Sequence, residues 1–151
     1  MIIGVPRENA EGERRVSLVP ESIQKLKGVS VHVQSGAGEG AGYPDSDYAR
    51  QGANIVEDAG SLFGGADLIV KIQPPTASEA AGLRAGSAMV SFLYPVAHLD
   101  AVGRMMERRV SAFAMELMPR ISRAQSMDAL SSQSLVAGYK AVLIAAESFP
   151  K

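Results

Sequence analysis

Cysteine is absent from the 151 residues, which removes disulfides, cysteine-ligated zinc and thiol chemistry from consideration. The absence agrees with a reducing compartment without requiring one. A basic stripe is missing too: 15 Lys and Arg stand against 16 Asp and Glu, mixed along the chain, for a net charge of −1. Nothing there would neutralise a run of phosphates, so nucleic acid is not an expected partner. Only Met1, Ile2 and Ile3 precede Gly4, far short of a secretory apolar core. The longest apolar stretch, residues 136–146, is interrupted by Tyr139 and Lys140 and reads as shorter than a membrane span of about 20 residues. We therefore expect a soluble polypeptide that does not itself enter a membrane. No internal repeat or low-complexity tract is visible.

What is present suits one globular domain. A hydrophobic content of 46% with 21% charged residues falls in the ordinary range for a domain of about 100–200 residues. Short β-branched or apolar runs at residues 2–5, 29–34, 68–72, 88–93 and 110–115 read as strands, with a weaker run at 53–56. Amphipathic stretches lie between them at residues 20–27, where Pro20 opens a helix, at 46–51 after an acidic cap at Asp45, and at 99–108. Strands alternating with helices imply a mostly parallel sheet, because parallel neighbours need crossover connections. The expected fold is a doubly wound α/β layer within residues 1–126. A long helix should then occupy residues 127–148 of a final segment 127–151, capped by Ser126. Met127, Leu130, Leu135, Ala137, Ala141, Ile144 and Ala145 would form its apolar stripe. Its length suits a connector, although packing back onto the sheet is also open.

Gly36-Ala37-Gly38-Glu39-Gly40-Ala41 follows the second strand and formally fits a dinucleotide-binding turn. Such a turn must open directly into a helix whose N–H groups face the pyrophosphate. Here Tyr43, Pro44 and Asp45 intervene, and Glu39 would set a carboxylate against the anion. The glycines read as a structural loop.

The segment 115–133 carries more chemistry. It follows a strand at the carboxyl edge, where open α/β sheets place their ligands. Arg120 offers a planar fork of donors, Gln125 a bifunctional amide, Asp128 an acceptor-only carboxylate and Ser131 a hydroxyl. Asp128 and Ser131 are three apart and share a helix face. That set suits a neutral amide and sugar hydroxyls, not a metal. A second reading is equally open from the residues: Ser122 and Gln125 fit a capping box, and Asp128 complements a helix dipole.

The run PRISRAQSMDALSSQ at residues 119–133, with AGYK at 137–140, resembles the nicotinamide-contacting loop of the NAD(H)-binding component of proton-translocating NAD(P) transhydrogenases. The opening GVPRENAEGERRVSLVPESIQKL, residues 4–26, is similar to the N-terminal signature that this family shares with alanine dehydrogenases. The resemblance implies that Arg120, Gln125, Asp128 and Ser131 hold the nicotinamide and its ribose, with Gln125 and Asp128 orienting the ring for hydride transfer. It implies NAD(H) as the cofactor, with NADP(H) on a separate component. It further implies a membrane component that couples the reaction to proton movement, a homodimer in the full component, and a place in the bacterial cytoplasm beside the inner membrane. A Rossmann unit carrying the pyrophosphate turn is expected after the long helix, so this chain by itself is expected to bind NADH weakly and to be inactive.

An alanine dehydrogenase would need a lysine amine and an imidazole to bind and polarise a keto acid. The signature aligns Gln73 with that lysine and Tyr94 with that histidine, and neither supplies the charge or the proton chemistry. Arg15, the substrate-carboxylate position of the same relatives, is present. Lys71, on the other sheet face from residue 72, is not expected to be catalytic. His32 in a strand and His98 at a helix start read as structural, since neither has a second ligand at metal spacing. A different class of function, a folded or dimerising module using the exposed face of the long helix, also stays open.

Overall fold

A computed structural model describes residues 1–149; Pro150 and Lys151, the end of the expected final segment, lie outside the described residues. The chain forms two compact units, Met1–Ala114 and Met115–Lys151. The expected start of the long helix falls inside the second.

The first unit is built on a six-stranded sheet of β1 (Ile2–Val5), β2 (Ser30–Gln34), β3 (Asn54–Val56), β4 (Leu68–Val70), β5 (Ala88–Ser91) and β6 (Ser111–Ala114). Every neighbouring pair is parallel and the spatial order is β3-β2-β1-β4-β5-β6. The crossovers carry α1 (Pro20–Ile23), α2 (Asp45–Arg50), α3 (Ala59–Gly65), α4 (Ala77–Gly82) and α5 (Leu99–Glu107).

Two apolar cores follow from strand alternation. Val5 pairs with Val33 in register, and with Val31 they pack under Ile23 of α1 and Tyr48 of α2. Ile69 pairs with Met89 and meets Leu62 and Phe63 of α3, Ala80 of α4, and Ala101 and Met105 of α5. The layer is therefore wound on both faces. Burying each large apolar side chain stabilises it by about 1.5–3 kcal/mol. Gly4 is required by the second core, because a Cβ there would stand 2.7 Å from the Ile69 side chain.

Three helical details differ from the sequence reading. The helix expected at 20–27 is α-helical only through Ile23: Lys25 and Leu26 donate their N–H groups three residues back, to Ser22 and Ile23, which tightens the last turn. Pro44, not Asp45, occupies the cap position of α2, because the Asp45 carboxylate turns back to accept from the Ser35 hydroxyl at 2.8 Å and the Gly36 N–H at 2.9 Å. Helices α3 and α4 lay outside the expected set. Both start on side-chain caps: Asp58 accepts from the Ser61 N–H at 2.6 Å, and Thr76 with Glu79 forms a reciprocal capping box.

The second unit holds a 3₁₀ turn at Met115–Leu117, a 3₁₀ segment at Ser122–Met127 and α6 (Ala129–Ser148). Ser126 does not cap the long helix. That position belongs to Asp128, because residues 122–127 are already wound into tighter turns. The capping box read at Ser122 and Gln125 does not form either: Ile121 stands at the cap, with no side-chain bond. Helix α6 is 20 residues long, about 30 Å, and buries none of its side chains. Its exposed apolar residues include the neighbours Leu135 and Val136, and Val142 and Leu143. Sequence neighbours point about 100° apart on a helix, so the expected single stripe is not formed. With only Lys140 and Glu147 charged, α6 is long and apolar enough to cross a membrane by length and composition alone. The interruption at Tyr139 and Lys140 therefore does not take this stretch below the length and apolar content of a span.

Candidate functional site

In the second unit, Arg120, Ile121, Ser122, Gln125, Asp128 and Ser131 line one cavity of about 320 Å³. The four residues singled out in the sequence thus face a common space. Local structure explains this. The 3₁₀ segment at residues 122–127 leads directly into α6, with Ala124 buried within it, and Gln125 lines the same cavity as Asp128 and Ser131 at the start of that helix. Asp128 closes the first turn of α6. Its Oδ1 accepts from the Ser131 N–H at 3.0 Å and its Oδ2 from the Ser131 hydroxyl at 2.6 Å, while its carbonyl accepts from the Ser132 hydroxyl at 3.1 Å.

These bonds set the protonation state. The Ser131 hydroxyl first, then the Ser131 N–H, hold the Asp128 carboxyl below its ordinary range, with the nearby Arg120 charge adding to the effect. Asp128 is therefore an anion with lone pairs left over, since a carboxylate offers about four acceptor sites. The Ser131 oxygen keeps acceptor capacity toward the cavity after donating its proton. A guanidinium, an amide with both donor and acceptor, an anionic acceptor and a hydroxyl oxygen form a set that can hold a carboxamide together with ribose hydroxyls.

The first unit carries a second polar assembly that the sequence reading did not find. Strand order reverses between β1 and β4, and the carboxyl ends at such a point are where ligands enter doubly wound sheets. Here Glu8 spans the gap: its carboxylate accepts from the N–H of Ile72 at 2.6 Å and of Gln73 at 3.2 Å. Lys71 Nζ lies 3.4 Å from both Glu8 and Glu79. Glu79 also caps α4 and accepts from Asn9 Nδ2 at 3.1 Å. Lys71 is thus buried in ion pairs. Beside them the Glu13 carboxylate accepts from Arg15 and Gln73. Tyr94 follows β5 at φ 42°, a left-handed backbone that side chains seldom adopt, with its ring stacked on Phe92 at 6.1 Å between centroids. The sequence signal for this assembly was the density of acids in residues 8–13, unreadable without knowing that Lys71 and Gln73 lie opposite.

The glycine loop is packed from within. Gly36 gives its N–H to Asp45, and a Cβ on Gly38 would stand 2.6 Å from both the Tyr43 carbonyl oxygen and the Tyr48 ring. A three-residue 3₁₀ turn at Glu39–Ala41 follows, with no helix of useful length.

Six parallel strands in this order, with helices on both faces, define a doubly wound α/β domain, the class that includes dinucleotide-binding proteins. Within that class the chain belongs to the family described as "Alanine dehydrogenase/PNT, N-terminal domain", which it matches over residues 4–137. It is similar to NAD(P) transhydrogenase subunit alpha of Cereibacter sphaeroides, 42% identical over 151 residues that cover 99% of this chain and 29% of that subunit. A crystal structure of transhydrogenase from Sinorhizobium meliloti superposes with a TM-score of 0.93 at 40% identity, over 100% of this chain and 46% of that one. An L-alanine dehydrogenase structure superposes with a TM-score of 0.72 at 31% identity, over 77% of this chain and 32% of that one. The chain spans less than half the length of these relatives.

Proposed function

We propose that the chain is the N-terminal part of the NAD(H)-handling component of a proton-translocating transhydrogenase, and that its 120–131 loop positions the nicotinamide for hydride transfer from NADH to NADP⁺ on a separate component. The observation that carries this reading is the shared cavity of Arg120, Gln125, Asp128 and Ser131. Its volume of about 320 Å³ lies at the lower end of small-molecule sites, enough for the nicotinamide end of a dinucleotide.

The dihydronicotinamide, when bound, supplies the hydride. The residues supply alignment, which at its largest is worth about 7–11 kcal/mol of barrier. Gln125 meets a carboxamide with complementary donor and acceptor. Asp128, anionic and fixed by Ser131, accepts from a ribose hydroxyl. Arg120 adds a planar fork at the rim. No acid, base or metal is required at the reacting carbon, so orientation is this chain's contribution to the chemistry.

In this reading the partners are the NADP(H)-binding and membrane components, the full component is a homodimer, and the assembly sits on the cytoplasmic face of a bacterial inner membrane. A reading as an alanine dehydrogenase fragment is disfavoured by Gln73, whose amide donates to Glu13 at 2.7 Å, and by Tyr94. A docking-module reading draws on the exposed side chains of α6; self-association that rises with concentration in sedimentation would favour it.

The test is Gln125→Asn or Asp128→Asn in the complete assembly. Stopped-flow hydride transfer is expected to slow by about tenfold or more with the fold intact by circular dichroism. Rates within about twofold of wild type would overturn the assignment.

A further inference from the structure

Helix α6 buries none of its side chains, and Leu135 and Tyr139 are 76% and 71% exposed. A helix that is apolar all round is one that something covers. Its charges say what. Within Ala129–Ser148 only Lys140 and Glu147 are charged, and both are exposed. Seven positions carry a helix through two turns less about 20°, so the two lie on one flank, about 10 Å apart along the axis. They are too far apart to pair with each other, since helix neighbours are three and four positions away. Opposite charges at this spacing complement a second α6 in one direction only. Antiparallel, Lys140 meets the partner's Glu147 and Glu147 meets the partner's Lys140, two ion pairs related by a two-fold axis. A parallel pair sets like charges level with each other and leaves both without a partner.

The seam that these charges flank agrees with that direction. At the alternating spacing of a heptad it consists of Ala137, Ala141, Ile144 and Ser148, all exposed. The alignment that joins Lys140 to the partner's Glu147 also sets Ala141 against the partner's Ile144 and Ala137 against the partner's Ser148. On the other flank Gly138 meets the partner's Ala145, and nothing lies within 4 Å of the place a Cβ on Gly138 would take. Small side chains on the seam and on that flank let two axes approach to the short end of the usual range of about 8–10 Å. One alignment thus satisfies the charges and the packing together.

We infer that residues 137–148 of α6 are a self-association surface whose occupant is the same segment of a second copy of this chain, running antiparallel, with Lys140 and Glu147 setting direction and register. The inference rests on the docking-module reading of α6 and makes it specific. It does not depend on the nicotinamide reading, since none of its residues belongs to the 120–131 loop.

The experiment reverses the charges in the full chain and follows dimerisation by sedimentation equilibrium. Lys140→Glu and Glu147→Lys, each folded by circular dichroism, turn two attractions into two repulsions, so each variant alone should raise the dimer dissociation constant by about tenfold or more. An equimolar mixture of the two variants restores both ion pairs and should dimerise as tightly as wild type, as should the double variant Lys140→Glu with Glu147→Lys. Direction is read by cross-linking, which the absence of native cysteine makes clean. Ala137→Cys and Ser148→Cys chains should join each other on oxidation, while neither joins itself. A wild type that stays monomeric up to about 1 mM, including one that settles on lipid vesicles instead, overturns the inference and the docking-module reading together. A dimer whose affinity ignores the reversals, a mixture that is not restored, or cross-linking of Ala137→Cys to itself overturns the inference alone.

Discussion

Lys71 Nζ lies 3.4 Å from the carboxylate of Glu8, and the two side chains are 2% and 3% exposed. The pair ties the loop after β1 to the end of β4 across the point where strand order reverses. Truncating one member leaves buried charge uncompensated, since Glu8 and Glu79 both rely on the same ammonium. Lys71→Met is expected to cost about 3–5 kcal/mol, measured as a lowered urea midpoint. A loss no larger than that of an exposed lysine substitution would mean that the backbone donors of Ile72 and Gln73 alone satisfy Glu8.

Glu13 gives a pH dependence with a definite sign. Hydrogen bonding from the Arg15 side chain, opposed by burial and assisted by the Gln73 amide, lowers its pKa from 4.5 to about 2. A carboxyl depressed in the folded state contributes stability that is complete above its unfolded value and is lost as pH falls through the folded one. Wild type should therefore lose stability steadily between about pH 4.5 and about pH 2, and Glu13→Gln should lose less over that window. Urea midpoints across the range check it; parallel slopes for the two proteins would disprove the linkage.

Asp128 has two jobs that substitution can separate. Asp128→Ala removes the acceptor of the Ser131 N–H and hydroxyl, so the first turn of α6 should fray, seen as faster amide exchange at Ser131 and Ser132. Asp128→Asn keeps a side-chain oxygen for the cap but removes the charge. If the proposed role is right, Asn preserves the exchange pattern and still slows hydride transfer in the assembly.

Two glycines should respond in opposite directions to alanine. At Gly38 a Cβ would stand 2.6 Å from the Tyr43 carbonyl oxygen and the Tyr48 ring, and Tyr48 is fully buried, so Gly38→Ala should cost about 1–3 kcal/mol. At Gly103, inside α5, nothing lies within 4 Å, so Gly103→Ala should add about 0.5–1 kcal/mol. Thermal midpoints falling for the first and rising for the second are the expected pattern.

The sheet was legible because strands of a parallel sheet are buried on both faces and read as continuous apolar runs. The four-residue strand at Ile2–Val5 was found with its bounds. Helices α3 and α4 escaped because seven and six residues rich in Ala, Gly and Ser are too short for periodicity to register. Asp58 with Ser61 and Thr76 with Glu79 were the readable signs. The cap of α6 was misplaced for a related reason, since a serine at 126 and an aspartate at 128 are equally good caps until the turns before them are known.

Within the 120–131 loop, spacing alone put only Asp128 and Ser131 on one face, and the family resemblance added Arg120 and Gln125, because twelve positions of turn and helix allow more than one arrangement. The family was likewise readable from contiguous runs. Tertiary structure decided the rest: where the strand order reverses, and that Glu8, Glu13, Lys71, Gln73 and Glu79 meet. Those partners lie about sixty residues apart in sequence, and only the winding of β1 beside β4 brings their charges within bonding distance.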